Sequence, residues 1–192
     1  MEKKVGVLAL QGGVSEHIDL LKEIENVSPI PVKKAEQIPG LDALIIPGGE
    51  STTIGKLLKK YDMIDAIKEL KHRNKPIWGT CAGLILLADK IENKDMIHLG
   101  LIEITVKRNA FGSQLDSFIT KKIIPAVSPE PVELVFIRAP IITAVGEDVR
   151  ILAKIEDKIV AAEKDNILVT SFHPELTDNP TFHQYFINKI IH

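Results

Sequence analysis

Short apolar runs alternate with amphipathic stretches through the first half of the chain. KVGVLAL (Lys4–Leu10) contains two valines and is closed by Gln11, Gly12 and Gly13, the pattern of a strand buried on both faces. In VSEHIDLLKEIENV (residues 14–27), Val14, Ile18 and Leu21 share one helical face. PIPVKKA reads as a second, short strand, and LDALIIPGG (Leu41–Gly49) as a third, ending in proline and two glycines. STTIGKLLKKYDMIDAIKELKHR is helical in one or two pieces, with Ser51 or Thr52 placed to cap its start. KPIWG supplies a fourth strand, and AGLILLADKI a helix apolar enough to be buried.

This alternation predicts a parallel sheet covered by helices on both faces, with right-handed crossovers gathering the strand ends along one edge. After His98 the texture changes. LGLIEITVKRN, PVELVFIRAP and DVRILAKIEDKIVAAEKDNILVTSFHPE read as strands joined by turns such as EDK and KDN, an antiparallel extension or a sheet edge. DNPTFHQYFINKII closes the chain as a helix, with Asn179 as its cap and Pro180 in its first position. No repeat, low-complexity segment or linker interrupts the pattern. The expectation is one three-layer α/β/α domain over residues 1–192, its central sheet mostly parallel, with an antiparallel extension.

Composition adds exclusions. A formal net charge of -2 argues against nucleic acid or an acidic membrane surface as the main partner. KLLKKY and KELKHRNK carry apolar residues at helical spacing, so they read as solvated helix faces. The single cysteine cannot form an internal disulfide, which fits a reducing compartment. The first apolar run stops at Gly12 without a cleavage site, and none approaches the roughly 18 residues of a membrane span. A cytoplasmic protein is expected.

That cysteine, Cys81, sits in GTCAG between a strand pattern and a helix pattern. A strand bending abruptly into a helix strains the residue at the bend and exposes its side chain above the sheet. The helix dipole favours thiolate over thiol, and the first amides, starting at Ala82, point where an oxyanion would form. A structural cysteine in a tight small-residue turn fits GTCAG equally well, so the motif needs a base. His173 is the candidate. It ends the strand run ILVTSF and is followed by Pro174 and Glu175. In an extended segment His173 and Glu175, two residues apart, point to the same side, where the carboxylate can hold the imidazole in one tautomer. HPE alone is more often a turn with a paired histidine; its position at a strand end reverses that preference. IIPGGESTT lies at a third strand end and offers open backbone amides. It lacks the spacing and lysine of a phosphate loop, and LALQGGVSEH falls short of a dinucleotide motif.

PGGEST, GTCAGL and SFHPEL, in this order and spacing, resemble the class I (triad) glutamine amidotransferases. GVLALQGGVSEH, LIIPGGESTTIGKLL, GTCAGLILLA, HLGLIEITVKRNAFGSQLDSF, VFIRAP and SFHPEL narrow the resemblance to the glutaminase subunits of pyridoxal 5′-phosphate synthase, from Val5 to Leu176. The resemblance implies a flavodoxin-like fold and a Cys81–His173–Glu175 triad that hydrolyses the side-chain amide of L-glutamine. It implies an oxyanion hole from backbone amides at Gly48, Gly49 and Ala82. It places glutamine recognition on Gly49, Glu50, Ser51, Arg108, Ile137 and Arg138. A guanidinium at Arg108 suits an amino-acid carboxylate, although VKRN alone reads as a surface arginine. It also implies a synthase subunit that receives the ammonia, with Gln11 and GGVSEH near the docking face, and no cofactor.

His17, His72, His98, His183 and His192 read as structural or solvated. A metal site from His173, Glu175, Asp178 and His183 is disfavoured, because Pro174 and Pro180 break any helical ligand face and one cysteine supplies no thiolate cluster. Two rival functions stand beside the glutaminase: a cysteine hydrolase acting on another substrate, and a non-catalytic binding subunit. GGES with Arg108 and Arg138 argues against the first, and the intact triad against the second.

Overall fold

The computed structural model describes residues 2–109 and 117–191. In chain order the elements are β1 (Lys3–Leu8), α1 (Val14–Lys22), β2 (Val27–Val32), β3 (Ala43–Ile46), α2 (Ser51–Lys60) and α3 (Met63–His72). Then come β4 (Ile77–Thr80), α4 (Ala82–Leu87), β5 (Ala88–Ile91), β6 (Ile102–Lys107), β7 (Ser117–Ile124) and β8 (Ser128–Ile137). The chain ends with β9 (Ile141–Val145), β10 (Arg150–Ile155), β11 (Lys158–Lys164), β12 (Ile167–Thr170) and α5 (Thr181–Ile191).

One ten-stranded sheet has the order β2-β1-β3-β4-β12-β11-β9-β6-β5, with β10 paired on β11. From β2 to β12 every pair is parallel, and β11 and β9 continue the sheet antiparallel. β7 and β8 form a separate antiparallel hairpin. The parallel strands are buried on both faces because alternate residues feed two cores. Leu8, Leu44 and Ile46 join Ile54 and Leu58 of α2, Ile67 and Leu70 of α3 and Leu84 of α4 on one side. Val5, Val7, Ile45 and Trp78 join Leu21 of α1, Phe136 of β8 and Phe182 and Phe186 of α5 on the other. The result is the expected three-layer arrangement with its antiparallel extension.

The differences are local. AGLILLADKI is not one helix. α4 stops at Leu87, and Ala88–Ile91 becomes β5, an edge strand on β6. All six residues of α4 are buried, so it lacks the solvated face that would carry a longer helix. The first helix ends at Lys22 rather than near Val27, and Asn26 takes a left-handed conformation (φ 61°) that turns the chain into β2. β2 holds Pro29 and Pro31 and lies at the sheet edge, where a missing N–H costs no ladder bond. The helical segment 51–73 is two helices, α2 and α3. Asn179 Oδ1 accepts from Thr181 N–H at 3.0 Å, capping α5 as expected, and Pro180 accepts the first helical bond from Gln184 N–H at 2.7 Å. Among the described residues no helix is long and apolar enough to cross a membrane.

Candidate active site

The carboxyl ends of β1, β3, β4 and β12 meet on one edge of the sheet, where open α/β sheets place their ligands. They deliver, in turn, Gln11, Gly48–Ser51, Cys81 and His173.

Cys81 occupies the single residue between β4 and α4, with φ 48° and ψ −101°. That conformation costs an L-residue about 1–3 kcal/mol, and the surroundings over-determine it. Cys81 N–H donates to Thr170 O at 2.8 Å, extending the β4–β12 ladder to the bend. The flanking glycines allow the bend to be tight. A Cβ on Gly79 would lie 2.5 Å from the Gly83 carbonyl carbon, and one on Gly83 would lie 2.0 Å from the Ile46 carbonyl oxygen. Cys81 is 8% exposed, and its sulfur lies 3.9 Å from Ile137 O. Ala82 N–H begins α4 and so has no intrahelical acceptor.

His173 N–H is held by Val135 O at 2.8 Å, and its Nδ1 lies 2.7 Å from Glu175 Oε1. The carboxylate side chain is 1% exposed. With Nδ1–H given to Glu175, Nε2 is left for Cys81. Pro174–Leu176 forms a 3-10 turn rather than an extended segment, and this turn swings Glu175 back under the ring. Burial, the largest effect, opposes a charge on His173. Hydrogen bonds to Cys81 and Glu175 and the charges of both outweigh it, pushing the imidazole pKa up to about 10. The ring packs so closely on Gly48 that a Cβ there would lie 2.5 Å from Cε1.

Two of the three backbone sites expected for the oxyanion face the cavity: Gly49 and Ala82 line it. Gly48 differs. Its N–H donates to Thr80 Oγ1 at 3.1 Å, so in this conformation the amide is turned away from the pocket and fixes the glycine turn instead.

A cavity of about 420 Å³ opens beside Cys81. Cys81, His173, Ala82, Gly49, Glu50, Ser51, Arg108, Ile137 and Arg138 line it, while Glu175 and Gly48 do not. Glu50, rather than Ser51 or Thr52, caps α2: its carboxylate accepts from Thr52 N–H at 3.0 Å and Thr53 N–H at 2.7 Å. The Thr53 hydroxyl bond leads the effects that hold its pKa at about 2. Arg108 reaches Glu50 Oε1 at 3.3 Å across the cavity mouth. Ser51 Oγ is buried in the wall without a hydrogen-bond partner. Arg138 has φ 43°, turning the chain sharply after Ile137.

Sequence reasoning left out several residues that shape this site. Ile85, Asn109 and Pro140 also line the cavity, as does Gln11, which the resemblance placed near the docking face and whose Oε1 accepts Glu50 N–H at 2.8 Å. Thr80 had no role beyond its place in GTCAG, yet its hydroxyl accepts from Gly48 N–H. His17 is not solvated: it and His183 are fully buried behind the triad. Residues 110–116 of the segment RNAFGSQLDSF lie outside the described residues.

A strained cysteine at a strand-to-helix bend, served by an imidazole that a buried carboxylate holds, is the apparatus of cysteine-dependent amide hydrolysis; on this sheet it defines a triad glutamine amidotransferase. The chain belongs to the SNO glutamine amidotransferase family, whose family model matches residues 7–192. It is 60% identical over 184 residues to the pyridoxal 5′-phosphate synthase subunit PdxT of Thermoanaerobacter sp. (strain X514), covering 96% of this chain and 97% of the relative. To the same subunit of Clostridium botulinum (strain Loch Maree / Type A3) it is 52% identical over 188 residues, 98% and 97% of the two chains. A crystal structure of a glutamine amidotransferase superposes with a TM-score of 0.90 at 42% identity, over 98% of this chain and 99% of the other. The glutaminase domain of Trypanosoma brucei CTPS with bound acivicin shares the fold, with a TM-score of 0.64 at 14% identity over 100% and 94% of the chains.

Proposed function

We propose that this chain is the glutaminase subunit of a pyridoxal 5′-phosphate synthase. It hydrolyses L-glutamine to L-glutamate and ammonia and passes the ammonia to a synthase subunit. Family membership and the PdxT relatives support that reading. Residues 1–192 act as one glutaminase domain in a cytoplasmic hetero-oligomer, without a metal, a cofactor, nucleic acid or a membrane.

The observation that carries the proposal is the strained Cys81 beside the His173–Glu175 pair at 2.7 Å, facing a cavity with charged groups at its mouth. The raised His173 pKa keeps its imidazole protonated, the form that stabilises a thiolate formed beside it. The Cys81 thiolate attacks the side-chain carboxamide carbon, and the amide oxygen becomes an oxyanion facing the Ala82 and Gly49 amides. His173 gives its proton to the amide nitrogen, the C–N bond breaks and ammonia leaves. The same imidazole then takes a proton from water as the hydroxide attacks the glutamyl thioester. The C–S bond breaks, releasing glutamate and freeing the Cys81 sulfur beside the protonated His173. Glu175 keeps accepting Nδ1–H throughout and stabilises the imidazolium. At the other end of the substrate, Arg108 meets the α-carboxylate and Glu50 the α-ammonium, and the unpartnered Ser51 hydroxyl supplies a hydrogen bond.

A glutamine-like electrophile tests the pocket directly. Azaserine should modify Cys81, seen by mass spectrometry, and excess L-glutamine should protect it. Modification that glutamine does not slow would mean that the elbow serves a different substrate.

A further inference from the structure

Behind the triad lies a fully buried polar chain that the reaction above does not use. His183, on α5, places Nε2 2.8 Å from Nδ1 of His17, on α1. His17 Nε2 then faces two groups: Thr80 Oγ1 at 3.3 Å and Glu175 Oε2 at 3.5 Å. All four residues are at most 5% exposed. Glu175 Oε2 has no hydrogen bond within ordinary limits. It is the oxygen not used by His173, and the His17 Nε2 is the donor poised beside it.

The tautomers follow from which atoms can be satisfied. If His183 Nε2–H donates to His17 Nδ1, His17 carries its proton on Nε2 and directs it at the carboxylate and the Thr80 oxygen. The one atom then left over is the lone pair of His183 Nδ1, which has no partner. In the reverse arrangement that nitrogen would carry a buried, orphaned N–H, and a His17 lone pair would face the Glu175 carboxylate. An orphaned buried donor is unfavourable, and the lone pair against the carboxylate adds repulsion. Both rings stay neutral: burial is the largest cause for each, and for His17 the charges of His183 and His173 act the same way.

We propose that His17 is a positioning residue of the triad: its Nε2–H holds the second oxygen of Glu175 and the Thr80 hydroxyl together. Glu175 sets the ring of His173, and Thr80 holds Gly48 N–H, so one imidazole links the base to the glycine turn against which that base packs. The distance of 3.5 Å is long for a hydrogen bond. It should shorten in the substrate complex, as such contacts do in other enzymes. The inference rests on the glutaminase reading above.

The test compares His17→Leu, which removes the donor, with His17→Gln, whose amide nitrogen reaches the same carboxylate. Each is assayed in complex with the synthase subunit, and the pH profile of Cys81 alkylation by iodoacetamide is recorded in parallel. The leucine variant should lose about tenfold to a hundredfold in kcat with KM within about twofold. Its alkylation midpoint should rise by about one pH unit, because the imidazolium beside the thiolate is less well held. The glutamine variant should recover most of both. A folded leucine variant with wild-type kcat and profile would overturn the proposal, as would a glutamine variant as impaired as the leucine one. Should the leucine variant fail to fold, His183→Phe carries the test: it keeps the ring against Trp78, removes the donor that sets the His17 tautomer and should shift both readouts in the same direction; wild-type behaviour in it would overturn the proposal. The alkylation arm needs no glutamine, so it decides the positioning role even if the wild type releases no ammonia.

Discussion

Gly83 packs so tightly against Ile46 that a Cβ on the glycine would lie 2.0 Å from the isoleucine carbonyl oxygen. This contact seats α4 on β3 and, with Gly79 on the other side, makes room for the bend that carries Cys81. The two glycines around the thiol are therefore a packing requirement of the elbow.

Gly83→Ala must push backbone against backbone, which nothing flexible can relieve. It should destabilise the protein by about 2–4 kcal/mol in urea unfolding and reduce glutaminase activity by displacing Cys81. Gly40→Ala is the control, since a Cβ there meets nothing within 4 Å and should leave both readouts near wild type. Equal stability in the two variants would mean that the contact is looser than its geometry.

Glu175→Gln preserves shape and removes charge. His173 would lose a partner that raises its pKa, and the imidazolium needed to protonate ammonia would be less stable. The expected result is a fall in kcat of about a hundredfold or more with little change in KM. A kcat within about twofold of wild type would remove Glu175 from the mechanism.

Arg108→Ala should act on binding. A charged hydrogen bond contributes about 1.5–3 kcal/mol, so KM should rise by about tenfold to a hundredfold with kcat largely kept. Arg108→Lys should restore part of the affinity. An unchanged KM would show that Arg108 serves only its pair with Glu50, whose half-exposed partners contribute little to stability.

Acid should destabilise the fold through the buried histidine pair. Burial holds His17 well below the ordinary imidazole value and His183 at about 3. A depressed folded pKa contributes stability that is present above the unfolded value, about 6.5, and lost as pH falls. The raised pKa of His173 works oppositely: its contribution is complete below about 6.5, so it adds no slope there. The unfolding free energy from urea titrations should therefore fall from pH 6.5 to pH 4.5, by up to about 1.4 kcal/mol per pH unit for each buried histidine. His183→Phe should flatten the slope. A flat wild-type profile would contradict the neutral pair.

Much of the site could be read in the chain because its local motifs encode it. GTCAG fixes an elbow, HPE ends a strand, and PGGEST opens a helix, so Cys81, His173 and the Gly48–Ser51 turn need only the crossover rule to meet. The parallel strands were equally plain, being continuous apolar runs. What escaped has a common physical cause. β5 was hidden in an apolar run too short to separate helix from strand. Thr80, His17 and His183 act through side-chain contacts between distant segments, which no local period records. Glu50 took the capping role from Ser51 and Thr52 because its longer side chain reaches two amides at once.

The central claim is a glutaminase built on Cys81, and ammonia release from L-glutamine tests it most directly. It should be measured with and without the synthase subunit from the same source, with Cys81→Ala and His173→Asn as controls. The account predicts release that is strongest with the synthase subunit and absent from both variants, each still folded and still binding the partner. Turnover at the wild-type rate in either variant would contradict the triad, and no release from the wild-type complex would contradict glutamine as the substrate.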